Sequence, residues 1–197
     1  METQGHYMSP KRAGGLDCWA VRELKCASES TLQHICDLFQ TIESTKRWPS
    51  AAEFGRIALI DKGEGPAIDA QRPLTILNLI YRLYAAFRLM DVSTWVRDWV
   101  HPSAGAAPGA SVQDVWSMMA LELEESFLNG TPLHGLSLDW HKCFDSMPRV
   151  VALELWRALG APGDFVDTIE AFYEHEQRCF SMGKVISPLF HSTTGFF

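Results

Sequence analysis

Apolar positions recur at helical spacing over much of this chain and alternate with polar ones most cleanly from Leu136 to Trp140. There Leu136, Leu138 and Trp140 point one way and Ser137 and Asp139 the other, the period of two of a half-buried strand. Asp139 falls on the polar face, near the end of what reads as the central strand. Strand formers also fill Phe54 to Ile60 and Arg72 to Leu77, on either side of a Gly63-Glu64-Gly65-Pro66 loop, which predicts a hairpin. Arg178–Ser181 and Lys184–Ile186 flank Gly183 and predict a second.

The helical pattern is denser. Asp17 can cap a helix near 19–27, and Leu32, Ile35, Cys36, Phe39 and Ile42 give Ser30 to Thr45 one apolar face. Trp48-Pro49 closes that helix. Asn78 can cap the next, with Leu79, Ile80, Leu83, Phe87 and Met90 on one face and an extension toward Val100. Ser111 and Asp114 form a capping-box pair, followed by Val112, Val115, Trp116, Met119 and Leu123 facing inward. Asp145 and Ser146 offer oxygens for a helix start, with Pro148 in its first turn. A short helix from Val150 to Leu159 ends at Gly160. Another follows from Asp164 to Glu176, with Phe165, Val166, Ile169, Phe172 and Tyr173 inward. Residues 1–12 read as a loose arm and His101 to Ala110 as a linker.

Composition narrows the class. Of 197 residues, 47% are hydrophobic and 21% charged, enough apolar material to bury a core and too much for a disordered chain. Cys18, Cys26, Cys36, Cys143 and Cys179 form no Cys-x-x-Cys or Cys/His cluster. That argues against zinc, and for an intracellular site, nuclear or cytoplasmic, over secretion. Met1–Gln4 begins no signal peptide, and Arg82, Arg88 and Asp91 interrupt the most apolar region, so the chain reads as soluble with no membrane partner. The net charge of −7 is uneven: residues 1–50 and 51–110 each carry six basic and six acidic side chains, whereas residues 111–197 carry five and twelve. Local clusters outweigh the total once salt screens beyond about 8 Å. The acidity weakens a nucleic-acid reading without removing it.

Asp139 is the first candidate for chemistry. A carboxylate ending a strand can hold a hard cation such as magnesium, although such residues more often cap a turn or stay solvated. The residues around it sharpen the choice. Asp139, Lys142, Phe144 and Asp145 spell Asp-x-x-Lys-x-Phe-Asp, which resembles the first palm motif of reverse transcriptases, those of non-LTR retrotransposons and group II introns in particular. Gly15-x-Asp17-x-Trp19 followed by Glu23-Leu24-Lys25 resembles the lead-in to that family's fingers. Lys62, the glycine loop and Arg72-Pro73 resemble its fingers hairpin, and Tyr81-Arg82 the helix after it. Pro108-Gly109-Ala110-Ser111 resembles its Pro-Gly-Arg-Ser segment, with Ala106, Ala107 and Ala110 where basic or bulky residues are expected. Ser192-Thr193-Thr194-Gly195-Phe196-Phe197 resembles the lead-in to a palm motif that continues Gln-Gly.

The resemblance implies an α+β right-hand polymerase fragment, fingers plus partial palm, helix-rich with a small, mostly antiparallel sheet. Its parts would be an arm and helical lead-in at 1–50, fingers at 51–135 and the start of a palm at 136–197, before the Gln-Gly and Tyr-x-Asp-Asp motifs. It implies an RNA-directed DNA polymerase, a nucleotidyltransferase using an RNA template, a DNA primer, deoxynucleoside triphosphates and two Mg2+ ions. Asp139 would be the catalytic metal ligand, Lys62 and Arg72 would hold the triphosphate, and Phe144 would be the steric gate against ribose. Asp145 reads mainly as a helix cap. With the other carboxylates absent, the chain is expected to be inactive alone, poorly soluble or dependent on a partner. Two other readings stand beside this one: a non-catalytic remnant that binds nucleic acid or protein, and a helical interaction domain with coincidental motifs. For Lys62 the ordinary role is a solvated cation beside Asp61, for Arg72 a surface pair with Asp69, and for Phe144 core packing.

Overall fold

The computed structural model describes residues 14–63, 65, 71–101, 103–105, 109–140, 142–183 and 185–195. The N-terminal elements form where local signals place them, with one exchange of caps. Helix α1 (Val21–Lys25) is a short turn within the expected 19–27, and the Ala20 N–H donates to the Glu23 carboxylate at 2.6 Å. Helix α2 (Glu29–Thr45) starts at Ser28, whose hydroxyl accepts from Thr31 N at 3.2 Å, and ends at Lys46 in the left-handed region. Helix α3 (Leu79–Trp99) is capped by Asp17, whose carboxylate accepts from Leu79 N at 2.8 Å. Asn78, the expected cap, instead donates its side-chain amide to the Ala51 carbonyl. Gly15 makes the exchange possible, because a Cβ there would lie 2.8 Å from the Leu77 carbonyl oxygen and 2.9 Å from Asn78 Cα. The loop holding Asp17 thus lies directly on the start of α3.

The core joins α2 and α3 to two later helices, α6 (Arg149–Ala158) and α7 (Gly163–His175). Trp48 is its hub: the ring meets Tyr84 and Phe172 edge-on, each at 5.1 Å, and the indole N–H donates to the Thr168 carbonyl at 3.0 Å. The expected face of α7 is buried at Val166, Ile169, Phe172 and Tyr173. That of α3 is buried at Leu79 and Leu83, whereas Met90 is exposed.

Strand β1 (Phe54–Asp61) pairs antiparallel with β2 (Gln71–Leu77), Ile60 opposite Arg72. On its other side β1 runs parallel to β3 (Gln177–Met182), Ile57 opposite Phe180. Strands β4 (Val185–Ile186) and β5 (Phe190–His191) both pair antiparallel with β3, and Gly183, at φ 61°, turns the β3–β4 hairpin. The fold is therefore helix-rich α+β with a small mixed sheet, centred on β1 and β3.

This corrects the expected central strand. Residues 131–140 belong to no strand, and Leu136, Leu138 and Trp140 are 84%, 74% and 72% exposed. Alternation makes a strand possible, but backbone pairing and a covering layer make it stable. Here β1 and β3 pair with each other.

Helix α4 (Val112–Asn129) has the expected capping box: Ser111 N donates to Asp114 Oδ2 at 2.7 Å and Asp114 N to Ser111 Oγ at 3.3 Å. Its apolar side does not face inward, since no residue of α4 is buried. A one-turn helix, α5 (Cys143–Ser146), contains Asp145 and Ser146, so neither starts α6. Pro148 stands at the N-cap of α6, which has no side-chain cap hydrogen bond, and the expected capping role of Asp145 is not realised. Among the described residues, no helix is long and apolar enough to cross a membrane.

The Ser111 hydrogen bonds hold the Asp114 carboxyl below its ordinary value. A folded pKa below the unfolded one gives stability that is present above the ordinary aspartate range and is lost as pH falls through the lowered value. Far-UV circular dichroism should therefore show α4 fraying in acid. Asp114→Ala should remove that step and lower helicity already at neutral pH.

Candidate functional site

The β1–β2 hairpin brings together two of the sequence-predicted residues. Arg72 lies in β2 opposite Ile60, and Lys62 is the residue just past the end of β1, so both basic residues stand at the same end of the hairpin. Both are exposed. Asp61, beside Lys62, turns its carboxylate to the backbone and accepts from Gly63 N at 2.8 Å. Among the described residues, no ion pair or hydrogen bond engages Lys62 or Arg72 through its side chain. Asp69, the ordinary partner considered for Arg72, lies outside the described residues.

Asp139 and Phe144 belong to a different segment. Asp139 sits in the exposed stretch ahead of α5, and Phe144, on α5, is 80% exposed, so it does not pack in the core. Between them Lys142 takes a left-handed conformation, φ 47°, and its carbonyl accepts from Asp145 N and Ser146 N, each at 2.9 Å. That turn presents Phe144 outward. No hydrogen bond or ion pair among the described residues links Asp139 to Lys62 or Arg72. No cluster of three or more His, Cys, Asp or Glu side chains converges among them either.

A contact between distant segments runs beside α5. Gly195 N donates to the Met147 carbonyl at 2.9 Å, and Pro148 and Thr194 form an antiparallel bridge. A Cβ on Gly195 would lie 3.3 Å from the Asp145 carbonyl oxygen and 3.4 Å from that of Phe144. The Thr193-Thr194-Gly195 stretch therefore lies against the chain immediately after the Asp-x-x-Lys-x-Phe-Asp motif. Phe196 and Phe197 lie outside the described residues.

Sequence reasoning missed the group that secures this contact. Glu176 is wholly buried and accepts from two arginines, Arg149 Nη2 at 3.0 Å and Arg178 Nε at 2.7 Å. Arg149 also donates to the Gly195 and Tyr173 carbonyls at 2.9 and 3.1 Å, and its guanidinium lies 4.3 Å from the Tyr173 ring centre. Arg178 reaches the Thr194 carbonyl at 3.4 Å. Burial pulls the Arg149 pKa down, as does Arg178, while Glu176 opposes both. Nothing in the local pattern marks these charges as buried. Compared with known proteins, the chain matches no family model and no curated sequence.

Proposed function

We propose that this chain is the fingers and first palm segment of an RNA-directed DNA polymerase of the non-LTR retrotransposon or group II intron kind. The observation that carries the reading is the β1–β2 hairpin, which puts the exposed Lys62 just past the end of β1 and the exposed Arg72 near the start of β2, at the same end of the hairpin. Exposed cations so placed can grip the phosphates of a nucleoside triphosphate. The contact of Thr193–Gly195 with Met147–Arg149 adds support, because it joins two of the segments that carry the resemblance.

In this reading Asp139 supplies one ligand to magnesium, and its exposed carboxylate is sterically open to a cation. Magnesium bound there would supply Lewis-acid chemistry for phosphoryl transfer, with Asp139 the residue of this chain that would hold it. Asp139 cannot hold two ions by itself. The complete enzyme would add the Tyr-x-Asp-Asp carboxylates, and these residues alone would not extend a primer. The Phe144 ring would exclude a ribose 2′-hydroxyl.

The test uses a fluorescent deoxynucleoside triphosphate titrated into the chain with magnesium present. Lys62→Ala and Arg72→Ala should each weaken binding about tenfold, the loss of one charge-assisted contact. Unchanged binding in both variants would return Lys62 and Arg72 to ordinary surface roles. A second reading, a non-catalytic remnant that binds nucleic acid or protein, is favoured by the unpaired state of residues 136–140. It expects no chemistry, whereas a helical interaction domain with coincidental motifs expects no magnesium-dependent triphosphate binding at all.

A further inference from the structure

Helix α4 carries an apolar stripe that nothing among the described residues covers. Winding at about 100° per residue sets Val112, Trp116, Met119, Leu123 and Phe127 along one side. Their exposures are 65%, 64%, 48%, 57% and 86%. At its C-terminal end Leu123, Glu124, Phe127 and Leu128 line an open depression of about 390 Å³. The same winding puts Glu122 along one border of the stripe and Glu124 along the other. No Lys or Arg occurs between Arg97 and Lys142, whereas Asp98, Asp114, Glu122, Glu124, Glu125 and Asp139 do. The face is apolar along its middle and anionic on both flanks.

We propose that α4 is the docking surface for a cationic amphipathic helix of a partner protein. The partner's apolar side would lie on the stripe, with Lys or Arg on both of its own flanks facing Glu122 and Glu124. A helix fits because apolar positions separated by three and four residues form a seam that accepts the side chains of a second helix. Charge selects the partner's sign. A second copy of this chain docking through the same stripe would bring Glu122 and Glu124 against carboxylates of their own kind, and a nucleic acid would meet only negative charge. None of the residues assigned to nucleotide or metal binding takes part, so the docking stands or falls separately from the polymerase reading.

The probe is a fluorescein-labelled helical peptide with leucines on one face and lysines on both flanks, titrated into the full chain and read by anisotropy. A matched peptide carries glutamates for the lysines. The lysine peptide should bind at least about tenfold more tightly than the glutamate one, and about threefold or more weaker as salt rises from about 0.05 to about 0.5 M. Glu122→Gln with Glu124→Gln should weaken the lysine peptide about threefold or more, and Leu123→Ser about tenfold. These positions are exposed, so circular dichroism should be unchanged. Equal affinity for the two peptides, or binding that survives Leu123→Ser, would overturn the docking, as would no binding. A dimer of the chain in sedimentation velocity that Leu123→Ser dissociates would assign the stripe to a second copy instead.

Discussion

Glu176→Gln should destabilise the fold by about 3–5 kcal/mol, because it leaves two buried arginines without their counter-charge. The carboxylate is 0% exposed, between Arg149 at 5% and Arg178 at 7%. The desolvation of both cations has already been incurred in the folded state, and the neutral amide returns only part of the attraction. The same change should loosen residues 194–195, which both arginines hold through backbone carbonyls. Urea unfolding is the measurement, with Glu174→Gln, an exposed carboxylate two residues away, as the control expected within about 0.5 kcal/mol of the parent. Equal midpoints for the two variants would mean that the cluster contributes nothing net. Hydrogen exchange at Thr194 and Gly195 reports the local effect separately.

Asp139→Asn should reduce primer extension to background, at least about a hundredfold, in a polypeptide that joins these residues to the remaining palm. The substitution keeps the size of the side chain and removes the charge that would hold magnesium. Asp139 is exposed and makes no hydrogen bond or ion pair to Lys62 or Arg72, so stability should stay within about 0.5 kcal/mol. The loss would then belong to chemistry. Retained extension would remove Asp139 from the metal site. In the same assay Phe144→Val should admit ribonucleotides. Continued rejection by a folded variant would leave that ring without the gating role.

The two expectations depend on parts of the chain with very different legibility. The hairpin next to Lys62 and Arg72 was legible because a glycine loop between two runs of strand formers is specified locally. Glu176 was not found because Glu-x-Arg looks the same on a surface as in a core. Only tertiary packing, which brings Arg149 of α6, Gly55 of β1 and Arg178 of β3 against it, removes it from water. Asp139 falls between these cases. Its motif is legible, yet the strand expected to carry it is absent from the fold.

The chain's local signals determined where helices and hairpins form: Ser28 and Ser111 cap the helices they precede, Gly183 turns its hairpin, and the apolar face of α7 goes inward. Each such signal acts through hydrogen bonds or side-chain spacing within a few residues. Tertiary structure alone decided that Asp17 caps α3 rather than α1, that β1 runs parallel to β3, and that residues 136–140 stay unpaired. It also decided that α4 keeps its apolar stripe in water. Those outcomes turn on contacts between residues far apart in the chain, where backbone pairing and desolvation depend on the partner that arrives and not on the residues next door.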